Sequence, residues 1–250
     1  MKEALQRVGF LLTLLGAWAL AAHLADSALF PSPLDVVASL RDSARSGVLL
    51  HGVGRSFLRL TVGYGLSLMG GVALGLGLAR SRLLKSTVGT VVFGLQAVPS
   101  VCWLPLALLA FGLNEAAIQF VVVMGSLLSI AIGTEAAIRN VPPLYVRAAR
   151  TMGASGLRLW TRVVLPAALP GILSSARLGW TFAWRSLMAG ELLFLSGGLG
   201  QMLETGRELN DMAQVLGVMV VIIALGLVSE QVLFGRIERS VRRRWGLDRT

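Results

Sequence analysis

Apolar residues fall into six long runs parted by polar or mixed segments, and within most runs they lie on every side of a helix rather than along one face. The runs cover about residues 8–25, 56–79, 86–113, 116–138, 166–195 and 212–234. A hydrocarbon core of about 30 Å needs roughly 20 residues at about 1.5 Å each, so each run is long enough to cross a bilayer, the 18 residues of the first only at the lower end. The pattern predicts an all-α, polytopic membrane protein with about six transmembrane helices in a single domain over residues 1–250. The first run has a competing reading as a cleaved signal peptide, because Ala19-Leu20-Ala21 offers small residues at cleavage spacing.

Two runs carry internal signals. The second holds Gly63, Gly65, Gly70, Gly71, Gly75 and Gly77, and such small residues let helix backbones approach closely in lipid. Packing within one subunit is the expected use. The third holds Pro99 and Pro105, each expected to kink or break its helix. Freed carbonyls survive in a bilayer only under cover of protein or a watery cavity, so this run is expected to line the interior. Between the first two runs, Leu34 to Ala44 places Leu34, Val37, Ala38 and Leu40 on one face, which predicts an amphipathic helix at the membrane surface.

Composition agrees with this picture: the chain is 55% hydrophobic and 14% charged, with a mean hydropathy of +0.73. A soluble helical bundle would need polar faces that the runs lack. The net charge of +10 could indicate nucleic acid, but the basic residues cluster between apolar runs rather than on a face. With both termini cytoplasmic, inner segments hold 16 Lys and Arg residues and outer segments 5. That asymmetry follows the positive-inside rule and predicts cytoplasmic N- and C-termini.

Chemistry of the chain's own is not evident. The two lysines, Lys2 and Lys85, are not preceded by the glycine that a P-loop requires, and His23 and His51 lack nearby metal-ligating partners. No cofactor, no metal site and no catalytic residue is expected. Cys102 is the single cysteine and sits beside Trp103 in an apolar run, where packing is its expected role.

A polar island from Asn140 to Leu165 interrupts the apolar pattern between the fourth and fifth runs. Arg139, Arg147, Arg150, Arg158 and Arg162 lie in or beside it. Leu144, Ala148 and Met152 recur at helical spacing before Gly153, which predicts a short helix, a glycine turn and a second short helix. Gly153 can close the first helix in a left-handed conformation, Ser155 is placed to cap the second, and Pro166 suits the first turn of the fifth span. Ala148 and Ala149 are small enough to lie flush against another protein.

Arg147-Ala148-Ala149, three residues, Gly153, nine residues and Val163-x-Leu165-Pro166 resemble the cytoplasmic coupling motif of ABC importer permeases, Glu-Ala-Ala, x3, Gly, x9, Ile-x-Leu-Pro. The resemblance extends over most of the chain and is closest to the nitrate, sulfonate and taurine branch. Phe30-Pro31-Ser32-Pro33, Ser56-Phe57-Leu58-Arg59, Val98-Pro99-Ser100-Val101-Cys102-Trp103-Leu104-Pro105, Phe111-Gly112-Leu113-Asn114-Glu115, Gly190-Glu191-Leu192, Gly198-Leu199-Gly200 and Trp245 are similar to that branch. It implies a type I importer permease fold with a cytoplasmic coupling helix, a separate ATPase subunit that binds ATP and magnesium, an external substrate-binding protein, and a homodimer. Tyr145, Arg147, Ala148, Ala149, Arg150, Met152, Gly153, Ala154, Ser155, Leu165 and Pro166 are the residues implied to couple to the ATPase. Arg147 departs from the family glutamate, so the partner groove is expected to be acidic or neutral there.

The solute path is read from the residues alone. Arg177, Trp180, Trp184, Met188 and Glu191 share a helical face, and charges within a span usually point inward because exposure at mid-bilayer costs about 2.5–3.5 kcal/mol. Pro99, Pro105, Arg177, Trp180, Trp184 and Glu191 are the candidate pathway residues for a small anion such as a sulfonate, taurine or nitrate. Against this stands simple pairing of Arg177 and Arg185 with Glu135, Glu191 or Glu230. Other classes for the chain are a self-contained secondary transporter or channel, which would show repeated halves and mid-membrane carboxylates, and a membrane scaffold.

Overall fold

The computed structural model describes residues 2–25, 27, 29–193 and 197–244, with side chains except at 2–5, 7, 8, 11 and 236–244. Trp245 and the end of the expected fifth span lie outside the described residues. Ten helices and no strand occur among the described residues. They are α1 (Lys2–Ala25), α2 (Pro33–Arg45), α3 (Val48–Arg80), α4 (Arg82–Gln96), α5 (Ser100–Phe111), α6 (Glu115–Arg139), α7 (Pro143–Thr151), α8 (Gly156–Leu193), α9 (Leu199–Glu208) and α10 (Met212–Arg244).

All six expected apolar runs are helical, but not all are simple spans. Helices α3, α6, α8 and the 212–235 part of α10 are long and apolar enough to cross a bilayer. The third run is instead two helices, α4 and α5, set at 107° to each other. Helix α1 runs 24 residues from Lys2 to Ala25, and Leu12–Ala25 is its apolar described stretch.

The chain divides into two compact units. Residues 1–56 and 191–225 form one, and residues 57–190 with 226–250 the other, so α3, α8 and α10 contribute to both. In the first unit, Trp18 Nε1 donates to the Pro31 carbonyl at 3.1 Å, and α2 begins with a reciprocal cap between Ser32 and Asp35. The Ser32 hydroxyl and N–H hold the Asp35 carboxyl below its ordinary pKa. On α2 the expected apolar face is partly exposed, with Leu34 and Val37 outward. Val36, which the periodicity did not select, is the buried residue. Leu40 packs at Gly217 of α10.

In the second unit α6 is the most buried candidate span, and small residues bring its neighbours onto it. A side chain at Gly75 of α3 would put Cβ 2.5 Å from the Ala131 carbonyl oxygen, and one at Gly71 would put it 2.8 Å from the Leu127 carbonyl. Gly171 of α8 similarly faces Ala137 at 2.7 Å. The glycine-rich run therefore packs within the chain, as expected. Ser126 adds a buried hydroxyl contact to Ser67 at 2.7 Å.

The break in the third run falls at Ala97–Pro99, before the 3₁₀ turn Ser100–Trp103 that opens α5. Pro105 breaks nothing. It lies in the first α-helical turn after that 3₁₀ segment, and the helix continues through it to Phe111.

The fifth span also differs from expectation. It starts at Gly156, so the second short helix of the island and the span are one helix. A π turn over Trp160–Val164 makes this continuity workable: the Leu165 N–H reaches back to the Trp160 carbonyl, and Pro166, which has no N–H to donate, follows directly. Pro166 therefore lies inside a helix, not in its first turn.

Candidate functional site

The island folds into a foot with two distinct faces. Helix α7 ends in a paired C-terminal closure: Gly153 N–H donates to the Arg150 carbonyl at 3.0 Å and Ala154 N–H to the Ala149 carbonyl at 2.9 Å. This bond pair needs a left-handed residue between helix and turn, and Gly153 supplies it at φ +83°. Gly156 adds a second left-handed position, at φ +55°, that spacing did not foretell. Ser155 takes the extended N-cap conformation as expected, yet its side chain makes no capping bond.

The inner face anchors the foot to the spans. Ala149 and Leu159 are buried with Ile138, Val141, Val164 and Ala168, and Ala154, Trp160 and Val163 pack against this cluster. The Arg80 guanidinium lies 5.7 Å from the Trp160 ring centroid, a cation–π distance. Nearby, Lys85 Nζ donates to Glu135 at 2.7 Å and Arg139 reaches the same carboxylate at 3.3 Å. Ala149 thus faces its own subunit, which corrects the expectation that both alanines would meet a partner. Leu165 and Pro166 are half-buried at the root of α8.

The outer face is apolar and basic. Leu144 is 70% exposed and Met152 81% exposed, and Tyr145, Arg147, Ala148 and Arg150 are exposed beside them. The stripe Leu144, Ala148, Met152 that marked the helix in the sequence therefore points away from the chain's own core. Burying a side chain such as Leu144 or Met152 against a partner stabilises by about 1.5–3 kcal/mol.

The candidate pathway residues do not form one site. Arg177 Nε and a terminal nitrogen donate to Glu230 Oε1 at 2.9 and 2.6 Å, so the pairing alternative holds for this arginine, with Glu230 as the partner. Trp180 is buried in an aromatic cluster, 5.0 Å from Tyr64 and 6.3 Å from Phe234 between ring centroids, and its indole N–H donates to Ser229 at 3.3 Å. Trp184 is half-buried beside Gly226.

Glu191 is fully buried and holds the turn into α9. Its carboxylate accepts from the Ser56 hydroxyl at 2.9 and 2.7 Å and from the Gly200 N–H at 3.0 Å, while the Ser56 oxygen accepts from the Leu199 N–H at 2.9 Å. Gly200 admits no side chain, because a Cβ there would lie 2.5 Å from that of Glu191. The resembling segments Ser56-Phe57, Gly190-Glu191-Leu192 and Gly198-Leu199-Gly200 meet through this one carboxylate. Another ion pair, which spacing did not identify, joins buried Arg59 to Glu115, with Nε at 2.7 Å from Oε2.

At the α4–α5 break lies a cavity of about 480 Å³. Pro99 borders it together with Gln96, Ser100, Ser129, Phe182 and Arg185. Pro105 and Arg177 are not in its lining, so of the proposed pathway set only Pro99 reaches this space. No group of metal-ligating side chains occurs among the described residues.

Residues 71–243 match the family model described as binding-protein-dependent transport system inner membrane component. A protein of Methanocaldococcus jannaschii described as an ABC transporter permease is 32% identical over 187 residues, 74% of this chain and 70% of that protein. The nitrate import permease protein of Leptolyngbya laminosa is 29% identical over 76% of this chain and 67% of its own length. The taurine transport system permease protein of Escherichia coli is 26% identical over 89% of this chain and 84% of its own. Among solved structures, the fold is similar to a chain of the MetNI methionine ABC transporter in an inward-facing conformation. The TM-score is 0.69 at 23% identity, covering 78% of this chain and 96% of that one.

Proposed function

The chain belongs to the binding-protein-dependent transport system inner membrane components and is the membrane-spanning subunit of an ABC importer; from this premise we propose how it is engaged and what it carries. The foot built from α7 and the start of α8 docks in the cytoplasm on a separate ATPase subunit. Two copies of the chain assemble around one pathway, an external binding protein delivers the solute, and both termini lie in the cytoplasm.

One observation carries the coupling proposal: the two faces of the foot have opposite fates. Ala149, Ala154 and Leu159 weld it to the ends of α6 and α8, while Leu144, Tyr145, Ala148 and Met152 remain uncovered. A lever needs a rigid root and a grippable surface, and this foot has both. Closure of an ATPase dimer pulling on α7 would displace α6 and α8 without first bending the root. The excess of inner Lys and Arg residues supports the cytoplasmic placement.

The solute is a small molecule with an anionic head, a reading supported by the nitrate permease among the relatives and by the sulfonate group of the taurine that another is named for. Hydrolysis belongs to the partner subunit, whose nucleotide and magnesium sites this chain does not contribute to by any motif of its own. Purification of the chain from its native membrane tests the reading: a co-purifying ATPase is expected, and loss of that ATPase on Leu144→Asp with Met152→Asp. A chain that isolates alone and moves solute across liposomes unaided would overturn it.

A further inference from the structure

We propose that the cavity at the α4–α5 break is an anion subsite within this chain, with Arg185 as its selecting cation and a small organic monoanion as its ligand. This deepens the permease reading and rests on it. Arg185 lies eight residues before the end of α8, about 12 Å along the helix, well inside the expected span. A cation there is costly unless it is paired or faces a polar space.

The two intramembrane arginines of α8 solve that problem differently. Arg177 is held by Glu230. Arg185 makes no ion pair with a carboxylate among the described residues and instead lines the cavity. The wall beside it offers neutral polar groups: the Gln96 amide and the Ser100 and Ser129 hydroxyls. Gln96 is already oriented toward Ser129, with its Nε2 3.4 Å from the hydroxyl oxygen. No Asp or Glu occurs in the lining, so nothing there competes with an incoming anion for the guanidinium.

The rest of the wall is apolar, with Phe93, Val98, Met124, Leu128 and Phe182. Gly125 lies in the wall with Ser186 packed against it, since a Cβ there would clash with the Ser186 oxygen, and that buried hydroxyl has no hydrogen-bond partner among the described residues. The space is an open groove, with Arg185, Gln96 and Phe93 exposed along it, and its volume of about 480 Å³ admits an acid head on a short carbon chain. A bare inorganic anion would leave the apolar wall unused. The planar donors of Arg185 fit a sulfonate or carboxylate head, and the aromatic and aliphatic side fits its tail.

The test is equilibrium binding of butane-1-sulfonate and of nitrate to the purified complex in nanodiscs, without the external binding protein. Wild type is expected to bind butane-1-sulfonate saturably and at least tenfold more tightly than nitrate. Arg185→Gln should weaken butane-1-sulfonate binding at least tenfold, Arg185→Lys should restore part of it, and Arg177→Gln should change it less than twofold. Retention of the ATPase in each variant reports folding and the permease reading independently of anion binding. Absence of saturable binding to a wild-type complex that retains its ATPase, equal weakening by the Arg177 and Arg185 variants, or nitrate binding as tightly as the sulfonate would overturn the proposal.

Discussion

Replacing Gly153 by valine tests the lever at its narrowest point. The backbone there stands at φ +83°, and no atom lies within 4 Å of where a Cβ would sit. Any penalty is therefore conformational rather than a clash. A left-handed L-residue costs about 1–2 kcal/mol, and β-branching takes valine toward the upper end of the roughly 1–3 kcal/mol range for strained backbone. The turn can escape the strain only by giving up the bonds from Gly153 to Arg150 and from Ala154 to Ala149, about 0.5–1.5 kcal/mol each. Either route shifts the foot by about 2 kcal/mol, roughly 30-fold in favour of an open turn. Asparagine tolerates the left-handed region and serves as the control. In proteoliposomes containing the complete importer, Gly153→Val should insert normally but lower solute moved per ATP hydrolysed, and trypsin should cleave faster at Arg150 and Arg158. Gly153→Asn should remain near wild type. Normal coupling in the valine variant, or equal damage from asparagine, would refute the argument.

Three further outcomes follow from particular contacts. Arg147→Glu should weaken the complex with its own ATPase severalfold in a pull-down, more at low salt than at high, since an exposed charge acts mainly by steering; unchanged or tighter binding would contradict an acidic or neutral partner groove. Glu191→Gln leaves one acceptor oxygen for the Ser56 and Gly200 donors and should cost about 1.5–3 kcal/mol, read as a lowered thermal midpoint of the detergent-solubilised chain; an unchanged midpoint would remove the clamp. Gly75→Val should destabilise by about 1–3 kcal/mol or more because Cβ would meet the Ala131 carbonyl, whereas Gly65→Ala, with open space around it, should be neutral within error.

Much of this architecture was readable along the chain because it is written locally. Apolar runs gave the helices, the glycines of α3 gave its close packing, and Gly153 gave the turn that ends α7. The rest depends on non-local partners and irregular turns that local spacing does not encode. Pro166 looked like a helix start because a proline usually is one, but the π turn before it carries the helix through. Ala148 and Ala149 are indistinguishable in sequence, and only the cluster around Ile138 and Val164 separates the outward from the inward one. Arg177, Trp180 and Glu191 share a helical face by spacing, yet Glu230, Tyr64 and Ser56 assign them three separate structural tasks. Those partners lie far off in the chain, Ser56 at 135 residues from Glu191. Arg185, outside the predicted pathway set, is the arginine that reaches the cavity.

Photo-crosslinking from the foot probes the coupling claim at the contact itself. With benzoylphenylalanine placed at Met152 in intact cells, irradiation should join the chain to an ATPase subunit, while the same probe at the inward position Leu159 should give crosslinks only within the chain. Failure of the Met152 probe to capture an ATPase, together with modification of that position by reagents confined to the outside of the cell, would contradict a cytoplasmic lever.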